Sequence, residues 1–256
     1  MKRKAQKATA RGHQPDRQAQ FEHSARLKQE YLESGNPLLS LDPKKKELLG
    51  NCYRPGQLYP QEVLKTFDPD FPSAALGVVS PHGWSDLNRN LGHVNLGTSH
   101  DTREVACDRI GRWWDSQGQA AYPRATSLLL LCDRGGSNSA RQYLFKEDLP
   151  RLADRLGMEV RVAHSPPYAS QYKPIEPRLF PHLTRACQGM IFHPIDVVKG
   201  LMEKAKTNTG RQVTGDILDK GYQTGRKCAA SFKRHRPIVF AAVLPKWNYR
   251  AVPSTP

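Results

Sequence analysis

The run Ser127-Leu128-Leu129-Leu130-Leu131-Cys132-Asp133 constrains the fold more than any other stretch of this chain. Four consecutive leucines leave no polar alternation, so the strand they form must be central and covered on both faces. Its neighbours agree with that position. Met158 to Ala163 reads as a second strand, and Ser139 to Leu156 as a helix between the two, stopped by Gly157. Pro150 lies inside that helical pattern and is expected to break or kink it.

The remaining elements follow from periodicity and stop signals. Phe21 to Ser34 reads as a short helix ended by Gly35 and Asn36-Pro37. Pro37 to Asp42 reads as a strand, Pro43-Lys44-Lys45-Lys46 as a turn, and Glu47 to Asn51 as a returning strand. Residues 53–81 read as an irregular excursion, and Gly92 to Gly97 as a third strand. Asp101 and Glu104 form a helix start, with Ala106, Ile110, Trp113 and Trp114 on one face. A helical aromatic stripe packs into a core more often than it stacks bases. A helix over Ile175 to Ala186 and another from His193-Pro194 to about Lys206 complete the series. Three strands joined by short connections, then alternating strands and helices, predict an α/β fold with a mixed sheet and helices on both faces.

Charge points to the partner. Lysine and arginine number 39 against 24 acids, a net charge of +15, with a pI near 9.8. Such an excess favours a polyanion, because each phosphate contact releases condensed counterions. The apolar fraction of 38% is low for a compact globule, so part of the 256 residues is expected to be tail or exposed arm. Residues 1–19 read as a basic disordered arm, residues 20–210 as the folded domain, and residues 211–256 as a basic C-terminal extension. Within the extension, Arg226, Lys227, Lys233 and Arg234 are candidate phosphate contacts. The five cysteines are scattered with no C-x-x-C pair, which argues against a zinc ribbon or a disulfide framework and fits reduced thiols in the cytoplasm. The sequence contains no apolar run of the roughly 18 residues that a membrane span needs.

Three carboxylates stand where chemistry collects in such folds, at strand ends and in the loops beyond them. Asp42 closes a strand. Asp133 closes the central strand and precedes a flexible Arg134-Gly135-Gly136-Ser137-Asn138 loop. Glu176 begins a helix after a proline-rich loop. Brought together, they would repel unless divalent cations sat among them. Taken singly, each also fits a turn or a helix cap. Asp86, in Gly83-Trp84-Ser85-Asp86, is the rival for the first position; Asp42 is preferred because a strand precedes it directly and another returns after it. The Gly-Gly-Ser loop lacks either nucleotide-binding glycine pattern.

Four stretches carry a family resemblance. Ser40-Leu41-Asp42-Pro43-Lys44-Lys45-Lys46-Glu47-Leu48-Leu49-Gly50, Leu96-Gly97-Thr98-Ser99-His100-Asp101-Thr102, Asp133-Arg134-Gly135-Gly136-Ser137-Asn138 and Pro174-Ile175-Glu176-Pro177-Arg178-Leu179-Phe180 resemble, in order, the DDE transposases of ISAzo-type insertion sequences. Trp247-Asn248-Tyr249 is similar as well. The resemblance implies an RNase-H-like core, metal-dependent DNA cleavage and strand transfer, Mg2+ or Mn2+ as cofactor, and DNA (element ends and target) as partner. It implies catalytic and metal-binding roles for Asp42, Asp133 and Glu176, no membrane association, action in the cytoplasm at the nucleoid, and room for a homo-oligomer on DNA. The chain departs from these relatives at Arg134, at Lys173 where they usually carry Asn, and at Pro177 where they carry His. Pro177 is expected to draw Glu176 towards an extended backbone. One alternative is a decayed copy that binds DNA without catalysis. Another is a basic ribosomal or nucleoid protein, which predicts no clustering of the three acids.

Overall fold

The leucines of β5 (Ser127–Cys132) divide as a doubly covered strand requires. Leu128, Leu130 and Cys132 face one core, while Leu129 and Leu131 face another on the opposite side. The structure, a computed structural model, describes residues 16–56, 65–68, 71–97, 105–133, 143–166, 169, 172–218, 232 and 237–254.

Before β5 come α1 (Arg17–Ser34), β1 (Leu38–Pro43), β2 (Glu47–Leu49), β3 (Gly77–Asp86), β4 (Leu91–Gly97), α2 (Val105–Trp113) and the short α3 (Gln119–Ala121). After it come α4 (Tyr143–Leu156), β6 (Glu159–His164), α5 (Ile175–Arg178), α6 (Phe180–Ala186), α7 (Ile195–Glu203), β7 (Gln212–Leu218), β8 (Val239–Phe240) and β9 (Asn248–Ala251). Among the described residues the strands form one sheet in the order β7-β4-β3-β1-β5-β6-β9-β8, with β2 paired to β3 off that path. β1, β5 and β6 run parallel, and so do β4 and β7; β3 is antiparallel to both of its neighbours, and β9 to β6. This is the mixed α/β sheet expected from the order of elements.

Helices cover both faces. On one, α2 and α4 set Ile110, Trp113, Phe145 and Leu149 against Leu128, Leu130 and Val160. Trp113 and Trp114 are 4% and 7% exposed, so the tryptophan pair packs into the core. On the other face, α5 to α7 set Ile175, Leu179, Leu183 and Val198 against Val79, Val94 and Leu96. Leu27 and Tyr31 of α1 rest on Leu38, Leu129 and Leu131. Gly35 ends α1 in the left-handed conformation, φ 69°, as the stop signal predicts. The four described cysteines, Cys52, Cys107, Cys132 and Cys187, are buried and unbridged. No described helix is long and apolar enough to cross a membrane.

Five expectations give way to tertiary forces. The longest strand, β3, starts within the stretch read as irregular. Its Gly, Pro, Ser and His content is poor in strand formers, and pairing to β1 on one side and β4 on the other supplies what propensity lacks. Pro150 does not break α4. Leu149, Leu152 and Ala153 around it are almost fully buried, and that packing outweighs the lost backbone hydrogen bond. The helix read over 175–186 is split into α5 and α6 at Leu179, where φ is −125°. Pro177 and Pro181 both lack the N–H that a continuous helix would use. Glu176 lies within α5, so Pro177 occupies a helical turn and does not hold Glu176 extended. Beyond residue 210, in the segment read as a basic extension, β7 and β9 are both paired into the sheet.

One glycine links the fold to the acidic residues. Gly83 of β3 pairs with Asp42 of β1, and a Cβ there would come 2.7 Å from Phe180 Cε1 and 3.1 Å from Ile175 Cδ1. The absent side chain lets α5 and α6 lie close on the sheet beside Asp42. Gly83→Ala is expected to cost about 1–3 kcal/mol by overpacking. Urea unfolding measures it; a change below about 0.5 kcal/mol, the usual range for surface substitutions, would show that the helices yield freely.

Candidate active site

β1 and β5 are parallel, with Ser40 opposite Leu131. Carried two residues further, this register sets Asp42 level with Asp133 at the carboxyl ends of adjacent strands. Asp42 is 4% exposed, whereas the Asp133 side chain is 31% exposed. The third acid arrives on α5, which is anchored by the fully buried Ile175 and the fully buried Leu179 just beyond it. Glu176 lies near enough to Asp42 to help push its carboxyl pKa up. The structure thus brings Asp42, Asp133 and Glu176 to one end of the sheet.

A residue not singled out as a site candidate sits among them. Lys173 is 5% exposed, and its Nζ lies 2.5 Å from Asp42 Oδ2 and 3.3 Å from Asp133 Oδ2. Burial pushes the Asp42 carboxyl up to about 7; Lys173 opposes that rise, while Asp133 and Glu176 add to it. Among the described residues no three His, Cys, Asp or Glu side chains stand in a ready-made metal cage. The donor chemistry nevertheless suits a hard divalent cation, because the converging groups are carboxylate oxygens. The Lys173 ammonium bridging two of them is a stand-in positive charge at that position.

Asp86 occupies the opposite end of the β1–β3 pair, level with Leu39. Its carboxylate accepts the Tyr122 hydroxyl at 2.7 and 2.8 Å and the backbone N–H groups of Asn88 and Arg89 at 3.0 and 3.1 Å. Asp86 therefore organises the β3–β4 turn and is remote from the other acids.

Beneath Asp133 a buried polar network holds the end of β5. His164 Nδ1 donates to the Asp133 carbonyl at 2.9 Å, and its Nε2 pairs with the Tyr249 hydroxyl at 2.8 Å. Gln20 donates to the His164 carbonyl at 2.8 Å and exchanges two hydrogen bonds with Asn248, at 3.0 and 2.7 Å. These contacts tie α1, β6 and β9 to the strand that carries Asp133. The Asn248-Tyr249 pair had a sequence signal in the terminal Trp-Asn-Tyr; Gln20 and His164 had none.

Beside Glu176 opens a cleft of about 650 Å³, lined by Lys44, Lys45, Phe180, Thr184 and Arg185 among others. Lys45, Thr184 and Arg185 are exposed. Arg226, Lys227, Lys233 and Arg234, and the proposed cap Asp101 with Glu104, lie outside the described residues.

Comparison with known structures identifies the architecture. The chain resembles the Mos1 mariner paired end complex with Mn at 13% identity and a TM-score of 0.51, over 81% of this chain and 60% of that one. It resembles the Mos1 Strand Transfer Complex at 16% identity and a TM-score of 0.52, over 82% of this chain and 60% of that one. The fold is therefore the RNase-H-like α/β fold of DDE-type transposases, and the chain spans about 60% of the length of these structures. A family model described as the Rhodopirellula transposase DDE domain matches residues 1–253, and the chain belongs to that family. No curated protein matches it by sequence.

Proposed function

We propose that this chain is the catalytic region of a DNA transposase in which Asp42, Asp133 and Glu176 hold catalytic Mg2+ or Mn2+. The observation that carries the reading is the convergence of three acids from β1, β5 and α5 on one sheet end. Water attacks a phosphodiester at the element end, the bond from phosphorus to the 3′ oxygen breaks, and a 3′-hydroxyl is freed. That hydroxyl then attacks a target phosphodiester, joining element to target and releasing a target 3′-hydroxyl. Bound divalent ions polarise the phosphoryl oxygens and lower the pKa of water. The chain itself supplies oxygen ligands on rigid strand ends, an α5 seated by Gly83 and Ile175, and a cationic cleft beside Glu176 that fits a phosphate backbone. Action in the cytoplasm at the nucleoid, on element ends and target DNA, and self-association on DNA belong to the same reading. So does the division into a basic arm over 1–19, a catalytic domain over 20–210 and a basic extension over 211–256, with β7 and β9 of that last segment completing the catalytic sheet. A basic ribosomal or nucleoid protein has no need of clustered acids.

The test is nicking of supercoiled DNA with Mg2+ or Mn2+, and with EDTA as the control. Metal-dependent nicks and strand-transfer products are expected. Retained DNA binding without cleavage under every metal condition would support a decayed, binding-only copy instead.

The basic C-terminal segment makes a separate prediction. If Arg226, Lys227, Lys233 and Arg234 contact phosphates, replacing all four with Ala weakens binding to unrelated duplexes about equally. The slope of log K against log salt flattens by roughly 0.9 for each phosphate that is no longer neutralised. An unchanged slope in that variant, with a reduced slope on deleting residues 1–19, would assign the phosphate binding to the N-terminal arm.

A further inference from the structure

Tyr172 immediately precedes the lysine that bridges Asp42 and Asp133, and it is 60% exposed. A single exposed aromatic residue means little by itself, but this one is held in place. The Phe21 ring of α1 meets it edge to face, with centroids 5.3 Å apart and planes at 77°. The Arg17 guanidinium lies over Phe21, 5.0 Å from the ring centroid. An edge-to-face contact fixes the phenol ring and occupies at most one of its faces. We propose that Tyr172, backed by Phe21 and Arg17, is a stacking platform for an unpaired nucleobase of the DNA strand that lies across the acids.

The inference rests on the DNA-cleaving reading above and adds a base contact to it. Position in the fold carries it. Gln20, between Arg17 and Phe21, pins the start of α1 to the carboxyl end of β6, where it donates to the His164 carbonyl and to Asn248. Tyr172 is anchored separately. Its N–H donates to the Ala169 carbonyl at 2.9 Å, and the next residue, Lys173, is buried with its ammonium between the two aspartates. The basic cleft beside Glu176 lies towards β3, where Phe180 packs on Gly83. The aromatic pair lies towards β6 and β9. In the sheet order β3-β1-β5-β6-β9, the strands that carry Asp42 and Asp133 stand between the two. A DNA strand whose phosphates sit in the cleft therefore passes the acids and arrives at Tyr172. A base drawn from its stack as its phosphate reaches the acids loses favourable contacts. An aromatic face offsets that loss for any base, because every base has a π-face. Arg17 places a cation beside the ring, suited to the phosphate of the stacked nucleotide.

The experiment compares paired with unpaired bases. Binding is followed by fluorescence anisotropy in EDTA, so that neither metal nor cleavage enters. The probes are a fully paired duplex and the same duplex with a short unpaired 3′ overhang. The proteins are the whole parent chain, Tyr172→Ala and Tyr172→Phe; Tyr172 is mostly exposed, so both substitutions leave the fold in place. Tyr172→Ala is expected to bind the overhang duplex about tenfold more weakly than the parent, the scale of one base stacked on an aromatic ring, and to bind the paired duplex as the parent does. Tyr172→Phe should match the parent on both, because stacking uses the ring and not the hydroxyl. Equal weakening on both duplexes, weakening on neither, or a Phe variant as weak as the Ala variant would overturn the proposal. Metal-dependent nicking by the parent would then leave the DNA-cleaving reading standing. A parent that binds neither duplex would overturn that reading and this proposal together.

Discussion

Asp133→Asn is expected to keep the fold and to lower metal-dependent strand cleavage by about 10³-fold or more, the scale of losing one preorganised charge-stabilising group. The amide has the shape of the carboxyl and lacks the charge that holds a cation. The fold tolerates the change, because the Asp133 backbone carbonyl stays bonded to His164 and the Lys173 ammonium, which loses one charged partner, keeps its shorter contact to Asp42. The side chain is also 31% exposed, so no buried charge is stranded. Cleavage of supercoiled DNA is measured beside thermal melting with and without Mg2+. The parent should melt higher with Mg2+, since an ion that binds only the assembled site stabilises it, and the variant should lose part of that rise. Asp86→Asn supplies the contrast: it should cost about 1–3 kcal/mol by disturbing the bonds to Tyr122, Asn88 and Arg89, and leave cleavage intact. Cleavage by Asp133→Asn within tenfold of the parent would remove Asp133 from the ligand set.

Phe145→Ala is expected to give the largest loss of stability, about 3–5 kcal/mol. Phe145 is fully buried in the core that joins α2 and α4 to β5 and β6. Truncation removes its transfer free energy and leaves a cavity walled by strand side chains that cannot close around it, because the sheet is fixed by its ladders. For a chain of this size the melting temperature should fall by about 10 °C. The residue sits on the face opposite Asp42, so its effect should appear in stability before it appears in metal binding. A loss below about 1 kcal/mol, measured by urea unfolding, would mean that α4 is not seated on β5 and β6 as described.

The two effects differ in how plainly the sequence announced them. Phe145 lies in a helix whose apolar spacing was readable, next to a strand whose four leucines left few alternatives. Asp133 was readable as the acid ending that strand, and Asp42 as the acid ending another. Whether those acids are ligands remains the proposal tested above. The choice between Asp42 and Asp86 was not decidable locally, since both follow strand-like residues. The antiparallel register of β1 and β3 decides the geometry, setting Asp42 opposite Gly83 and Asp86 opposite Leu39, at different ends of the pair.

By itself the sequence determined the doubly covered central strand, the alternation of helices and strands around it, and the basic charge that favours a polyanionic partner. These are legible because periodicity, caps and net charge are carried by residues adjacent in the chain or summed over it. Only the tertiary structure decided that residues 77–86, 212–218 and 248–251 are strands, that Pro150 stays within a helix, and that Lys173 bridges Asp42 and Asp133. The β3 sequence is a poor strand in isolation and becomes one through its partners. Lys173 and Asp42 lie 131 residues apart, so no local pattern encodes their meeting. That contact exists because β1 runs parallel to β5 and because Gly83, lacking a side chain, lets α5 lie against the sheet.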